Sequence, residues 1–290
     1  MIADWLRLFR PQHWVKNGFV LAPLLFSGRA TDSAVLVDAL LAFAAFCLAA
    51  SAVYAFNDVA DRAEDLAHPV KRFRPVAAGR IPVSQAYAAA AVLAALSLGV
   101  SWMVGPLPAL CVAAYLALNV AYSFWLKHLV LLDVFAIATF FLLRLLSGAA
   151  AVRVHPSVWL LLCGGLLALY LGFAKRRHEL LVLGDTSADH RSVLAQYSAP
   201  FLDQISSVLL AVTLVSYLMY SLTSETAERV GSEALSYGAP FVLYGVFRYL
   251  FLVHRRELGS PTETILTDRP LMAAVALWLL YNGFILYRPH

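Results

Sequence analysis

The sequence predicts an all-α integral membrane protein with nine transmembrane helices, and three observations support this fold class. Of the 290 residues, 61 % are hydrophobic and 14 % are charged, against about 45–50 % and about 25 % in soluble domains. The mean hydropathy is +0.73, and the apolar residues form long runs rather than periodic patterns with a polar face. The basic residues concentrate in alternate loops. This composition excludes a soluble enzyme.

Nine apolar segments are candidate spans, measured against the about 20 apolar residues that cross the hydrocarbon core. The first is short and follows basic residues, so a signal peptide within residues 1–30 is its alternative interpretation. It lacks a small-x-small cleavage site, which favours a span. The predicted spans are Asn17–Ser27, Ala34–Phe56, Val83–Val104, Leu107–Leu126, Leu129–Val152, Val158–Ala174, Ile205–Leu222, Tyr237–His254 and Leu271–Tyr287.

The distribution of Lys and Arg tests this count, because both concentrate on the cytoplasmic loops of membrane proteins. With the N-terminus inside, most of the 22 basic residues lie on inner segments. Arg144 and Arg248 lie within spans, and the outer segments contain Arg29, Arg153, Arg229 and Arg288. We therefore predict a cytoplasmic N-terminus and an outer C-terminus. The net charge of +4 is too small to indicate a nucleic-acid partner.

Three inner loops are long and contain charges of both signs, at about residues 57–82, 175–203 and 254–270. The outer connections are short, apart from one acidic stretch around Glu228. We interpret residues 1–290 as a single multi-pass membrane domain whose inner loops cap an active site. Chemistry is therefore expected on the inner face.

The first inner loop opens with four oxygen-bearing residues at helical spacing. If the helix continues past the membrane, Asn57, Asp58, Asp61 and Asp65 share one face. Carboxylate and amide oxygens suit Mg²⁺, which usually takes one or two carboxylates plus substrate phosphates. We interpret this face as a magnesium site. The alternative is a solvated helix end with scattered acids.

A basic cluster follows immediately, at Lys71, Arg72 and Arg74 between Pro69 and Pro75. The prolines stiffen the loop and oppose helix formation. Guanidinium groups beside a metal site suit a metal-bound diphosphate, because they bind the phosphate oxygens that the metal does not coordinate. The alternative is anchoring to anionic lipid headgroups.

A second polar cluster, Lys175, Arg176 and Glu179, ends the sixth span. The spacing of three and four residues places two cations around one carboxylate on one helix face. A surface ion pair, worth about a few tenths of a kcal/mol, is the alternative interpretation. Asp185 and Asp189 follow on a loop without an assigned role.

Six further polar residues complete the candidate site. They are Lys16 and Asn17 near the N-terminus, Tyr122 and Lys127 at the end of the fourth span, and Asp133 and Arg144 in the fifth. A charge inside hydrocarbon costs at least ~2.5–3.5 kcal/mol, so the last two either face a polar cavity or form structural ion pairs. Lys16 and Asn17 lie where a lipid phosphate would, beside Trp14, an interfacial anchor.

These motifs resemble the UbiA superfamily of intramembrane prenyltransferases, and within it the decaprenyl-phosphate phosphoribosyltransferases. The motifs are RPxxWxKN from Arg10, NDxxDxxxDxxHPxKxxRPxAAG from Asn57, YxxxxK from Tyr122, RxxxG from Arg144 and KRxxEL from Lys175. Aromatic prenyltransferases of the superfamily usually have a second aspartate-rich motif where this chain has KRxxEL. That departure resembles the phosphoribosyl branch.

The resemblance implies a nine-helix bundle with a central cavity, open to lipid, in the inner membrane of a bacterium. The implied reaction is Mg²⁺-dependent transfer of a 5-phosphoribosyl group from phosphoribosyl pyrophosphate (PRPP) to a polyprenyl, decaprenyl-like monophosphate, with release of diphosphate. A homo-oligomer is compatible with this architecture.

The resemblance also implies roles for individual residues. The family's metal- and diphosphate-binding motif matches Asn57, Asp58, Asp61 and Asp65. Its catalytic residues match Asp58, Asp61 and Lys71. Its phosphate-binding loop matches Lys71, Arg72 and Arg74. Lys175, Arg176 and Glu179 would engage the other end of the donor. The remaining predicted substrate-binding residues are Lys16, Asn17, Tyr122, Lys127 and Arg144.

Two alternatives come from different function classes. An aromatic prenyltransferase would use a prenyl diphosphate and share the Asn57 motif, so only the second site separates it from the first interpretation. A transporter would place substrate groups near the midplane, often on interrupted helices in repeated halves. No matching interrupted pair is visible in the sequence, and the acids cluster at inner helix ends, which favours an enzyme.

Overall fold

The computed structural model describes residues 2–183, 193–222, 233–255 and 267–287, and these residues contain helices and no β-strands. An all-helical backbone satisfies its own polar groups within lipid, and the predicted fold class is confirmed. The helices are α1 (Ile2–Phe9), α2 (Ala22–Phe26), α3 (Ser33–Ala60), α4 (Arg62–Ala67), α5 (Val83–Val104), α6 (Pro106–Phe124), α7 (Leu132–Ala151), α8 (Val158–Leu183), α9 (Ala199–Leu222), α10 (Ala239–Arg255) and α11 (Arg269–Tyr287).

Eight helical segments in the described part of the chain are long and apolar enough to cross a membrane. They correspond to the second to ninth predicted spans. The first predicted span, Asn17–Ser27, instead consists of a 3-10 helix at Pro11–Val20 and the five-residue α2. Pro23 within α2 lacks the N–H that a continuous helix needs. The count of nine and the side of the N-terminus stay predictions.

Local sequence explains where the first long helices begin and end. The Asp32 side chain caps α3 by accepting hydrogen bonds from the N–H groups of Ala34 at 3.0 Å and Val35 at 3.4 Å. This contact satisfies donors that have no partner within the helix. Gly105, at φ 155°, separates α5 from α6, and Pro106 then occupies the first helical position, which tolerates proline.

The chain divides into two compact units. The first comprises residues 1–126 and 142–156, where α3 packs against α5 and α6. The second comprises residues 127–141 and 157–290, where α8 packs against α9 and α10 packs against α11. Helix α7 contributes its first part to the second unit and its remainder to the first. The single-domain organisation stays a prediction.

An ion pair connects α10 with the residue before α11. Arg248 Nη2 lies 2.9 Å from Asp268 Oδ2, and Arg248 Nε donates to Asp268 Oδ1 at 3.1 Å. Asp268 Oδ1 also accepts the Leu271 N–H at 2.9 Å, so the same carboxylate caps α11. The ion pair with Asp268 offsets the cost of placing the charged residue Arg248 within the apolar helix α10.

Within the first unit, Gly148 of α7 lies directly against the backbone of the 3-10 helix. A Cβ atom at this position would be 1.9 Å from the carbonyl oxygen of Val20. Small residues permit such close backbone approach between membrane helices. The glycine of the RxxxG motif therefore has a packing role, because it brings the N-terminal segment against α7.

We predict that Gly148→Ala destabilises the protein by about 1–3 kcal/mol, the usual cost of overpacking. The matched control is Gly99→Ala in α5, where an added Cβ meets nothing within 4 Å. There, alanine should be neutral or stabilising by as much as about 1 kcal/mol, because it favours helix. The measurement is the thermal unfolding midpoint in detergent. Equal midpoints for the two variants would contradict the packing role.

Candidate active site

The acidic motif lies at the junction of α3 and α4, in the first unit. Helix α3 ends at Ala60, but the Asp61 N–H donates to the Asn57 carbonyl and the Asp65 N–H to the Asp61 carbonyl, both at 2.8 Å. The helical path therefore continues past the end of the span, as predicted. Asp58 and Asp65 are 1 % and 2 % exposed, so a solvated helix end is the wrong interpretation for these two residues.

Arg74 joins the two buried acids. Its Nη1 atom lies 2.7 Å from Asp65 Oδ2 and 3.4 Å from Asp58 Oδ1. The basic loop thus folds back onto the acidic helix face, which neutralises charge that would otherwise be costly to bury. Lys71 and Arg72 are exposed. The basic cluster therefore divides into one arginine that holds the acids and two cations that face outward.

Arg10 is a functional candidate that the sequence reasoning did not assign. Its guanidinium forms an ion pair with Asp58 and lies 4.9 Å from the centre of the Tyr54 ring. Its backbone is left-handed, at φ 51°, which is uncommon for a residue other than glycine and is often found at functional sites. The RPxxWxKN motif begins at Arg10, but a separation of 48 residues gave no signal for the contact with Asp58.

A cavity of about 410 Å³ opens beside these residues. Its lining includes three arginines, Arg7, Arg10 and Arg74, and a single carboxylate, that of Asp58. Guanidinium groups bind phosphate oxygens with two parallel hydrogen bonds. The excess of positive charge makes this cavity a suitable site for a phosphate or diphosphate group.

The oxygen atoms of the acidic motif are of the type that magnesium binds. Asp58 Oδ2 is buried and has no hydrogen-bond partner among the described residues. Asn57 and Asp61 are half-buried, and Asn57 Oδ1 lies 2.7 Å from the Ser123 hydroxyl. Within the described ranges no three His, Cys, Asp or Glu side chains are grouped closely enough to hold a metal ion. The residues therefore fit a site shared with substrate phosphates rather than a cage made of protein ligands alone.

A second polar group lies deeper in the first unit, around Arg144. Its Nε donates to Asn17 Oδ1 at 2.8 Å, its Nη2 lies 3.3 Å from the Tyr115 hydroxyl, and its guanidinium lies 4.8 Å from the centre of the Tyr115 ring. Arg144 is 5 % and Asn17 0 % exposed. Polar and aromatic partners reduce the cost of a buried guanidinium. The structure therefore brings together two predicted substrate-binding residues, Asn17 and Arg144, through a direct hydrogen bond.

Three further predicted substrate-binding residues are half-buried. Lys16 lies in the Pro11–Val20 3-10 helix and Tyr122 near the end of α6, and both are half-buried residues of the first unit. Lys127 is a half-buried residue of the second unit, in a 3-10 turn before α7. Their assignment to substrate stays a prediction.

The second charged cluster lies on α8, which continues to Leu183, beyond the end of the predicted span at Ala174. The start of the predicted second inner loop is therefore helical, because ion pairs at three- and four-residue spacing support the helix. Arg176 forms ion pairs with Glu179 and with Asp133, the latter at 3.1 Å. Lys175 Nζ lies 3.7 Å from Glu179 Oε1.

The two cations of this cluster differ in exposure. The Lys175 side chain is 48 % exposed, whereas that of Arg176 is 1 % exposed. A surface ion pair thus describes Lys175 but is wrong for Arg176. Asp185 and Asp189 lie outside the described residues.

Comparison with known proteins identifies the family. The sequence profile of the UbiA prenyltransferase family matches residues 18–280. The chain belongs to this family. As a UbiA family member with eight described apolar helices, it is a multi-pass membrane protein.

Two curated relatives are similar to this UbiA family member over nearly its full length, and both are named decaprenyl-phosphate phosphoribosyltransferase. The protein of Corynebacterium glutamicum is 33 % identical over 284 residues, which cover 96 % of this chain and 85 % of that protein. The protein of Mycolicibacterium smegmatis is 33 % identical over 298 residues, with 99 % and 93 % covered.

A solved structure agrees with the fold. A UbiA homologue from Archaeoglobus fulgidus bound to GPP and Mg²⁺ has a TM-score of 0.74 and 19 % identity, and the match covers 99 % of this chain and 100 % of that chain. The same homologue was also solved with Cd²⁺, with a TM-score of 0.71 and 18 % identity. At these identities the likeness shows a common fold.

We predict that Arg74→Gln destabilises the protein by an amount on the order of 1–3 kcal/mol, because it leaves the Asp65 carboxylate buried without its cation. The matched control is Arg72→Gln, two residues earlier, whose exposed guanidinium lies over the Phe73 ring. The thermal unfolding midpoint in detergent measures both variants. If Arg72→Gln lowers the midpoint as much as Arg74→Gln, the proposed structural role of Arg74 is wrong.

Proposed function

We propose that this protein transfers a 5-phosphoribosyl group from PRPP to a polyprenyl, decaprenyl-like monophosphate. The products are diphosphate and polyprenylphosphoryl-5-phosphoribose. The observation that carries this proposal is the charged cluster of α8, which has Lys175, Arg176 and Glu179 where aromatic prenyltransferases of the superfamily usually have aspartates. The near-full-length similarity to two decaprenyl-phosphate phosphoribosyltransferases supports the same reaction.

The first unit supplies the groups suited to the donor's diphosphate. In this proposal Asp58 and Asp61 would hold Mg²⁺, and Asn57 and Asp65 would complete the polar surroundings of the ion. The exposed Lys71 and Arg72 are available to bind further diphosphate oxygens. The ion, when bound, would neutralise charge on the departing diphosphate.

The second unit carries residues suited to the rest of the donor. PRPP has a diphosphate at C1 and a separate phosphate at C5, so it requires a second cationic group. We assign the 5-phosphate to Lys175, whose ammonium is about half exposed. The Glu179 carboxylate, 25 % exposed, is suited to accept hydrogen bonds from ribose hydroxyls.

The reaction needs positioning more than proton transfer. An oxygen of the lipid phosphate attacks C1 as the bond from C1 to the diphosphate breaks, and the diphosphate leaves with the bonding electrons. The lipid phosphate is already anionic, so no general base is required. In-line attack on the α-configured donor yields a β-linked product. The chain would contribute mainly orientation and stabilisation of the leaving group.

We also propose the inner membrane of a bacterium as the location, with the charged segments on the cytoplasmic side. This orientation follows from the concentration of Lys and Arg on alternate loops. It would bring the Asn57 motif and the α8 cluster to the compartment that contains soluble PRPP.

The proposal predicts the substrate requirement of the purified protein. With Mg²⁺, PRPP and a polyprenyl phosphate, the protein should release diphosphate, and omission of either PRPP or the lipid should stop the release. A prenyl diphosphate with an aromatic acceptor should give no product. Reaction of that second pair, together with inactivity toward PRPP, would instead favour the aromatic prenyltransferase.

The proposed metal role predicts that Asp61→Asn and Asp58→Asn lower the rate of diphosphate release by about a hundred-fold or more, as for loss of a group that stabilises transition-state charge. The matched control is Glu64→Gln, which removes an exposed acid from the same acidic motif. Near-normal rates are expected for this control. Thermal unfolding midpoints establish that the variants are folded. Wild-type rates in both aspartate variants would refute the metal assignment.

A further inference from the structure

A buried chain of polar contacts in the second unit ends at Glu179. Asp133 in the first turn of α7 is 0 % exposed, Arg176 of α8 is 1 % exposed, and Tyr197, just before α9, is 5 % exposed. Burial of two charges and a hydroxyl in an apolar protein is costly unless each is paired. The contacts that offset this cost connect Tyr197, Asp133 and Arg176 to Glu179.

Tyr197 is the first residue in this series of buried polar contacts. The Leu131 N–H donates to the Tyr197 hydroxyl oxygen at 2.7 Å, and that hydroxyl donates to Asp133 Oδ1 at 2.9 Å. Burial raises the pKa of Tyr197 to about 12, so the phenol stays protonated at neutral pH and remains a donor. Leu131 has a left-handed backbone, at φ 66°. This conformation is uncommon for a residue other than glycine.

Arg176 is the next residue in this series of contacts and links it to the partly exposed Glu179. Asp133 Oδ2 lies 3.1 Å from Arg176 Nε, and the other side of the guanidinium pairs with Glu179. At 1 % exposure the Arg176 side chain is itself shielded, whereas Glu179 is 25 % exposed and lies near the half-exposed Lys175. The contact between Arg176 and Asp133 is an ion pair by distance, without hydrogen-bond geometry. One planar guanidinium thus contacts both a fully buried carboxylate and one that solutes can reach.

We infer that Tyr197 and Asp133 are positioning residues, which fix Arg176 and through it hold Glu179 in the orientation that binds the phosphoribosyl donor. This inference rests on the proposed function, because it takes the ribose of PRPP as the ligand of Glu179. It also changes the expected role of Arg176 from a phosphate contact to a link between Asp133 and Glu179.

The aromatic surroundings of Tyr197 allow the hydroxyl to be removed alone. Its ring stacks on Phe201 at 6.2 Å between centroids and meets Phe173 edge-on at 6.4 Å, so Tyr197→Phe retains this packing. The matched control is Tyr170→Phe on α8, because the Tyr170 hydroxyl is buried and has no hydrogen-bond partner among the described residues.

The experiment compares the purified wild type, Tyr197→Phe and Tyr170→Phe in detergent with Mg²⁺. For Tyr197→Phe we expect the KM for PRPP to rise about 2- to 10-fold, the effect of one lost hydrogen bond, while the KM for polyprenyl phosphate stays unchanged. Tyr170→Phe should leave both values unchanged. A merely structural role of Tyr197 would instead change the KM values of both substrates to a similar extent.

A double-variant cycle tests whether the effect passes through Glu179. The PRPP concentration that gives half of the maximal thermal shift is measured for Glu179→Gln, Tyr197→Phe and the double variant, so that inactive variants remain informative. We expect the double variant to match Glu179→Gln alone, whereas independent roles would add.

The outcomes separate this inference from the proposed function. Additive effects, or an unchanged PRPP requirement in Tyr197→Phe, would overturn the positioning role while the wild type still releases diphosphate from PRPP. Absence of that release in the wild type would overturn the proposed function, and the positioning role with it.

Discussion

The cost of burying charge in an apolar protein is the constraint on which the rest of this structure depends. A carboxylate or guanidinium removed from water must be paired or hydrogen-bonded. Asp58 and Asp65 pair with Arg74, Arg144 binds Asn17, and Asp133, another buried acid, pairs with Arg176. The contact between Arg144 and Asn17 joins segments that are 127 residues apart in sequence, so the few charges also organise the packing of apolar helices.

The same constraint divides the cations into two groups. Arg74 and Arg176 are committed to buried carboxylates, whereas Lys71, Arg72 and Lys175 are exposed. Arginine suits the first group, because its planar guanidinium can contact two acids at once and stays charged when buried. In the proposed function, the second group binds the phosphate oxygens of the donor. A cluster that is uniformly basic in sequence, such as Lys71, Arg72 and Arg74, therefore contains both exposed cations and a cation that pairs with buried acids.

Much of the fold could be predicted from the sequence, because membrane spans are determined by length and composition. The eight helices from Ser33–Ala60 to Arg269–Leu286 correspond to predicted apolar segments. The helical continuation through Asp61 was likewise predictable, since it follows from the spacing of Asn57, Asp58 and Asp65. The interruption of the first span was not predicted. Pro23 lies within the segment and lacks the N–H of a continuous helix, and the close contact of Val20 depends on Gly148 of α7, outside the segment.

The sequence by itself determined the class of the protein, its family and the residue types available for phosphate chemistry. Only the tertiary structure decided how those residues are used. Arg10 contacts Asp58 and Tyr197 contacts Asp133 across sequence separations of 48 and 64 residues. A local periodic pattern in the sequence does not predict contacts at such separations. Exposure separates Arg176 from Lys175 although they are adjacent in the chain. The physical reason is that burial, which sets the cost of a charge, is a property of the packed helices and not of the segment that contains the residue.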